Sequence, residues 1–219
     1  MAEIQATVFC DFDGTITTED TFDLVAGAVV PEVWWPLKRR MFNFEINLRE
    51  GMAALAAALS PTHLEEMRQQ LADVPLRPGF LPFLDSLEAA GVPFVLVSGG
   101  LLPLVEQLLG SHRHRFEQLV AAEVRSHAPG GVQFHSPFAS ADELVAKAQV
   151  LERFGRGKRI VIGDSITDLR MAEVADLVFA REPLSGWLQQ RSIAHHRWRD
   201  FDDVAAELRR QGLLPASPA

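Results

Sequence analysis

The stretch FCDFDGTITTED, residues 9–20, ends the apolar, β-branched run IQATVFC (4–10) with two aspartates two positions apart. The run reads as a buried strand, and Gly14 as the turn that follows it. Asp11 and Asp13 repel one another and neither assists a strand, so their charge is either held by a partner or used. The same punctuation recurs twice. VPFVLVSGG (92–100) and KRIVIGDS (158–165) are also apolar runs that stop at small polar residues and glycine.

Weaker strand patterns lie at 118–124, 175–180 and 194–198. Between the runs, helical spacing of apolar residues covers 79–91, 101–110, 140–155, 165–175 and 200–212. Strands alternating with helices predict an α/β fold, a parallel sheet covered on both faces. Residues 17–78 break the rhythm. They hold four successive helical patterns punctuated by Pro31, Pro61 and Pro75. The expected organisation is a core domain from 1–16 and 79–219, with a helical cap domain, 17–78, inserted after the first strand. SHAPGGVQFHSP (126–137) reads as a short hairpin or loop.

Composition narrows the function. The 219 residues carry 21 Lys+Arg against 29 Asp+Glu, a net charge of −8, which argues against a nucleic-acid partner. With 47% hydrophobic residues, the chain has ample material for a core. Cys10 stands alone, so no disulfide or multi-cysteine metal site can form within the chain, and it reads as a small buried hydrophobe. The start MAEIQATVF has no signal-peptide pattern, and GMAALAAAL is too short to span a bilayer. A cytoplasmic protein with no membrane partner is expected.

In a parallel α/β sheet, ligands sit beyond the carboxyl ends of the strands. The three clearest strands would bring Asp11 and Asp13, then Ser98-Gly99-Gly100, then Gly163-Asp164-Ser165 with Asp168, to one crevice. At roughly 4 Å each like-charge pair costs on the order of 4 kcal/mol at an effective dielectric near 20. Such a group calls for a cation or for protonation. Oxygen donors with no His/Cys cluster suit Mg²⁺. A carboxylate at a strand end can attack phosphorus, and one two residues on can shuttle the proton of the leaving alcohol and of water. Thr15 adds a donor at the turn. Ser98 with the Gly99 and Gly100 amides would bind phosphate oxygens, and Lys147 is the candidate cation. Each motif alone has a plain structural explanation: an Asx turn, a capped helix start, a solvated lysine. Capping accounts poorly for all of them in this order.

These residues resemble the motifs of haloacid-dehalogenase superfamily phosphatases. D-x-D-G-T stands as Asp11-Phe12-Asp13-Gly14-Thr15, the strand-end serine as Ser98, and G-D-x-x-x-D as Gly163-Asp164 to Asp168. The resemblance spans residues 4 to 180 and implies a Rossmann-like core. It implies Asp11 as nucleophile and Asp13 as general acid/base. Mg²⁺ would be held by the Asp11 carboxylate, the Asp13 carbonyl and Asp164, with Asp168 in support. The family's lysine falls on Lys147 or Lys158, and Lys147 is preferred because Lys158 abuts its strand.

The helical insertion resembles the small-cap class that includes phosphoserine phosphatase. Where that enzyme carries N-E-T, this chain has E-D-T with Asp20, and the lid arginine that grips the serine carboxylate falls on Gly51. INLREGMAAL instead resembles the I-x-x-x-E-G segment of MtnX-type enzymes, which act on 2-hydroxy-3-keto-5-methylthiopentenyl-1-phosphate in methionine salvage. Val33, Trp34, Leu37, Met41 and Phe44 have helical spacing and read as cap core. Lys38-Arg39-Arg40 read as a wetted face, and Asp142-Glu143 as first-turn acids of a helix. The expected function is a Mg²⁺-dependent phosphomonoester hydrolase acting on a small phosphate ester of MtnX type. Phosphoserine or a broader set of metabolites is the second choice. A silent phosphate-binding module is the reading from another class.

Overall fold

A computed structural model of the chain describes residues 4–71, 74–127 and 130–216. Strand β1 (Ala6–Cys10) is followed by four helices, α1 (Thr21–Val29), α2 (Pro31–Phe42), α3 (Leu48–Ala58) and α4 (Pro61–Gln69). Then come α5 (Phe80–Ala90), β2 (Phe94–Leu101), α6 (Leu102–Leu109), β3 (Gln118–His127) and β4 (Gly131–His135). The last part is α7 (Lys147–Phe154), β5 (Lys158–Gly163), α8 (Leu169–Glu173), β6 (Leu177–Ala180), α9 (Leu184–Gln190), β7 (His196–Arg197) and α10 (Phe201–Arg210).

The seven strands form one sheet in the order β4-β3-β2-β1-β5-β6-β7. Only the β3–β4 pair is antiparallel. That pair lies where a short hairpin or loop is expected, and residues 128–129 between its strands lie outside the described residues. Period-two alternation decides what each face buries. Val8, Cys10, Leu96, Ile160 and Ile162 point to the face covered by α5 and α10. Phe9, Val95, Val97 and Val161 point to the other, where they pack with α7, α8 and α9 and with the apolar residues of α1–α4. Each large apolar side chain buried this way contributes about 1.5–3 kcal/mol. Cys10 lies within the first group, fully buried.

Register places the site. Cys10 pairs with Leu96 on one side and Ile162 on the other. The residues just beyond these three therefore emerge at one edge of the sheet. Helices α1–α4 lie between β1 and α5, and an isolated antiparallel bridge, Thr17 to Leu76, ties their two ends together. Among the described residues, no helix is long and apolar enough to cross a membrane.

Three expectations about the fold need correction. The helix expected over 140–155 begins only at Lys147. Ser140 Oγ accepts from the amides of Asp142 and Glu143, and the Arg49 amide donates to the Asp142 carbonyl, so the segment is held as a loop. The helix expected over 165–175 is a 3₁₀ turn, Ile166–Asp168, followed by the short α8. Phe44 is 60% exposed rather than cap core. Helix α2 stops at Phe42 and Phe44 takes a φ of 57°, which carries it off the helical spacing. Helix α9, which buries Leu184 and Leu188, falls outside the expected helical segments.

Candidate active site

Three strand ends and one helix start build the site. Asp11 continues β1 and its amide donates to the Ile162 carbonyl at 2.9 Å. Phe12 O then accepts from the amides of Thr15, Ile16 and Thr17, which folds the chain into a tight turn. Gly14 sits at φ +74° in that turn, and a Cβ there would lie 2.5 Å from Asp164 Oδ2. Only glycine allows the first and last acidic motifs to approach so closely.

At the centre lies Lys147, the first residue of α7 and fully buried. Its ammonium donates to Asp11 Oδ1 and to Asp168 Oδ1, each at 2.6 Å. Asp168 Oδ2 accepts from the amides of Asp164 and Ser165, both at 3.0 Å. Thr15 Oγ1 donates to Asp164 Oδ1 at 2.8 Å. Ser98 Oγ donates to Asp13 Oδ2 at 3.0 Å and accepts from the Gly100 amide at 2.9 Å. Thr21, at the start of α1, donates to the other oxygen of Asp13. All the residues singled out from the sequence thus meet in one place: Asp11, Asp13, Thr15, Ser98, Gly99, Gly100, Lys147, Asp164 and Asp168. Lys158 does not; it bonds Gln211 instead.

The electrostatics follow from burial. The Asp11 carboxyl is held well above the usual carboxylate range by burial, then by the charge of Asp168. Burial, then Asp20, pushes Asp13 up to about 6. Burial, then Asp168, pushes Asp164 up to about 7. For Lys147, burial acts downward, but Asp11 and Asp168 outweigh it and hold the ammonium above its ordinary value. One lysine faces four acidic groups, so the site lacks positive charge. Carboxylate oxygens of Asp11, Asp164 and Asp168 lie within 4.8 Å of one another and could hold a metal ion. Asp168 already has both oxygens engaged. Asp11 and Asp164 each keep one oxygen that accepts no hydrogen bond among the described residues. This hard-oxygen donor set fits a divalent cation such as Mg²⁺.

Above the strand ends, the wall of the pocket is mostly apolar: Phe22, Trp34, Met41, Leu48 and Met52 from the helices between β1 and β2, and Leu144, Val145 and Ile166 opposite. Its acidic members are Asp11, Asp13, Asp20 and Glu143, and among the described residues no lysine or arginine lines it. A profile of the haloacid dehalogenase-like hydrolases matches residues 8–173. The chain belongs to that family. The hydrolase is 33% identical over 198 residues to a 2-hydroxy-3-keto-5-methylthiopentenyl-1-phosphate phosphatase of Microcystis aeruginosa, covering 90% of this chain and 94% of the relative. It is 31% identical over 217 residues to one of Exiguobacterium, with 92% and 96% covered. Among solved structures, a phospho-aspartyl intermediate analogue of phosphoserine phosphatase superposes with a TM-score of 0.75 at 18% identity, covering 94% of this chain and 99% of that one. That likeness is one of fold. Family and relatives together make the chain a phosphatase.

Three contributors stand outside the expected site residues. Arg77 is buried and donates to the carbonyls of Gly14, Thr15 and Thr17, at 2.5, 2.7 and 2.9 Å. It braces the turn that carries Asp13, yet a lone arginine has no periodic signal. Thr21, read only as the last residue of E-D-T, donates to Asp13, and Glu143, expected with Asp142 in the first turn of a helix, lies instead in the loop before α7 and lines the pocket. Lys38, expected on a wetted face, instead pairs with Asp20 at 3.4 Å and with Asp23. Asp142 pairs with Arg170 at 2.9 Å rather than serving a helix start.

Proposed function

We propose that the hydrolase cleaves a phosphomonoester through an aspartyl-phosphate on Asp11, and that its substrate is 2-hydroxy-3-keto-5-methylthiopentenyl-1-phosphate. A carboxylate oxygen of Asp11 attacks phosphorus, the ester P–O bond breaks, and Asp13 gives its proton to the departing oxygen. Water then attacks the aspartyl-phosphate, Asp13 takes a proton from it, and phosphate leaves with Asp11 restored. A carboxyl group pushed up to about 6 can serve both halves near neutral pH. Ser98, the Gly99 and Gly100 amides and Lys147 hold the phosphoryl oxygens. Lys147 also fixes the Asp11 carboxylate, and Asp168 fixes Lys147. Asp11, the Asp13 carbonyl and Asp164 would hold Mg²⁺, with Thr15 orienting Asp164. When bound, the ion offsets the negative charge of phosphate and carboxylates. Helices within 17–78 act as a cap that keeps bulk water out, and Thr21 links cap position to the proton donor.

The pocket wall carries the substrate assignment. A phosphoserine carboxylate needs a cation beyond the lysine that meets the phosphate, and among the described residues no other lysine or arginine lines the pocket. Gly51, the position of the arginine in the phosphoserine enzyme's lid, is buried in α3. A Cβ there would lie 2.2 Å from Met41 Sδ. Phe22, Trp34, Met41 and Met52 instead offer an apolar, polarizable lining for a methylthio tail. The names of the sequence relatives agree. Steady-state kinetics with Mg²⁺ should give a kcat/KM for the methylthio substrate at least about 100-fold above that for phosphoserine. The reverse order would refute the assignment.

A further inference from the structure

Glu143 has no part in the chemistry above, and its surroundings ask for one. It is 5% exposed, and it lines the pocket between apolar neighbours. Among the described residues no group donates a hydrogen bond to its carboxylate, and the nearest cation is Arg170 at 3.7 Å. Its backbone is pinned: Ser140 Oγ accepts from its amide at 3.0 Å, and its carbonyl accepts from the Ser140 amide at 2.9 Å. Its neighbour Asp142 is held from both sides, by the Arg49 amide and by the Arg170 side chain. The loop therefore presents this carboxylate in a fixed place. A buried carboxylate without donors is costly unless something supplies them. Burial also drives its pKa upward, which agrees with an unmet demand for donors.

We infer that Glu143 is a specificity residue that accepts a hydrogen bond from a hydroxyl group of the leaving alcohol. The inference rests on the proposed substrate class, an uncharged apolar tail joined to a hydroxylated, phosphate-bearing end. Among the described residues, the wall has no other buried polar side chain left without a hydrogen-bond donor. Asp20 caps α1 and pairs with Lys38, and Asp13 is held by Ser98 and Thr21. Glu143 thus reads the polar end of the alcohol while the cap reads the tail.

The test compares two probes: pentyl phosphate bearing a hydroxyl on the carbon beside the phosphate-bearing one, and pentyl phosphate itself. The readout is the ratio of their kcat/KM values with Mg²⁺. Wild type should favour the hydroxylated probe by about tenfold or more. Glu143→Ala should bring that ratio close to one, and Glu143→Gln, which keeps an acceptor oxygen, should retain part of it. Arg170→Ala breaks the same ion pair from the other side and should leave the ratio within about twofold if Glu143 acts on substrate rather than on the loop. A wild-type ratio near one, or equal collapse in Glu143→Ala and Arg170→Ala, overturns the inference. Preference for phosphoserine over both probes would instead overturn the proposed substrate class, so the two failures are distinguishable.

Discussion

The floor of the pocket and its roof are built on opposite principles. At the strand ends almost every polar atom is spoken for: Lys147 between two carboxylates, Ser98 between a carboxylate and an amide, Thr15 on Asp164. The roof, α1 to α4, meets the pocket mainly through Phe22, Trp34, Met41 and Met52. Among its few polar ties to the floor are Thr21 on Asp13 and Arg49 on the loop carrying Asp142. Directional bonds fix chemistry and tolerate little change. Apolar contacts fix only shape and volume, so the roof can be retuned to a new leaving group while the floor stays constant.

The sharpest way to break this contrast is at Asp11. Asp11→Asn should lower kcat at least about 1000-fold on every phosphate ester, because an amide is no nucleophile toward phosphorus. The fold should survive, since Lys147 keeps Asp168. Full activity in that variant would remove the nucleophile assignment. Next in size is Lys147→Met. It leaves Asp11 and Asp168 buried without their shared cation, and should cost about 3–5 kcal/mol of stability in metal-free urea titrations, besides most activity. A loss below about 1 kcal/mol would mean that the carboxylates neutralise themselves by taking up protons.

A roof substitution should behave differently. Gly51→Arg places the charge that a phosphoserine site would want. Its Cβ would meet Met41 Sδ at 2.2 Å, so helices α2 and α3 must part. We expect a stability loss of about 1–3 kcal/mol and a fall in activity on the methylthio substrate, with no gain on phosphoserine. A variant that hydrolyses phosphoserine well would show that the roof has more slack than its packing indicates.

The same contrast explains what could be read from sequence. The floor was legible because Asp, Gly and Ser at strand ends conflict with strand formation, and a conflict of that kind marks a site. Spacing points to Lys147, though the segment before it has the apolar spacing of a helix and is a loop. SADELVAK has helical periodicity, but Ser140 caps the amides of Asp142 and Glu143, and Arg49 from another part of the chain completes the loop. Tertiary hydrogen bonds overrode local preference. Phe44 failed for a related reason: a helical stripe cannot announce that its helix ends two residues earlier. Arg77 acts singly, through backbone carbonyls, and leaves no pattern along the chain, while the pattern around Glu143 points to a helix start that the loop replaces. The fold and the meeting of the strand-end residues were thus open to reading, while residues that act singly were not.

The smallest expected effect tests the charge balance beneath all of this. Asp13 and Asp164 have folded-state pKa values of about 6 and about 7, against about 4 for an unfolded carboxylate. Between those limits the metal-free native state binds protons that the unfolded chain does not. Stability without metal therefore falls as pH rises through that window, and is regained below it. Paired surface carboxylates do not blur the signal. Arg210 and Gln211 hold Glu207 down at about 2, and the Arg199 side chain and amide hold Asp203 down at about 2. A divalent ion competes with those site protons, so it should raise the melting temperature by a few degrees more at pH 8 than at pH 5. Asp164→Asn should abolish most of that increment. Equal Mg²⁺ stabilisation at both pH values would mean that the ion binds away from the raised carboxylates, and the floor would then need a different source of positive charge.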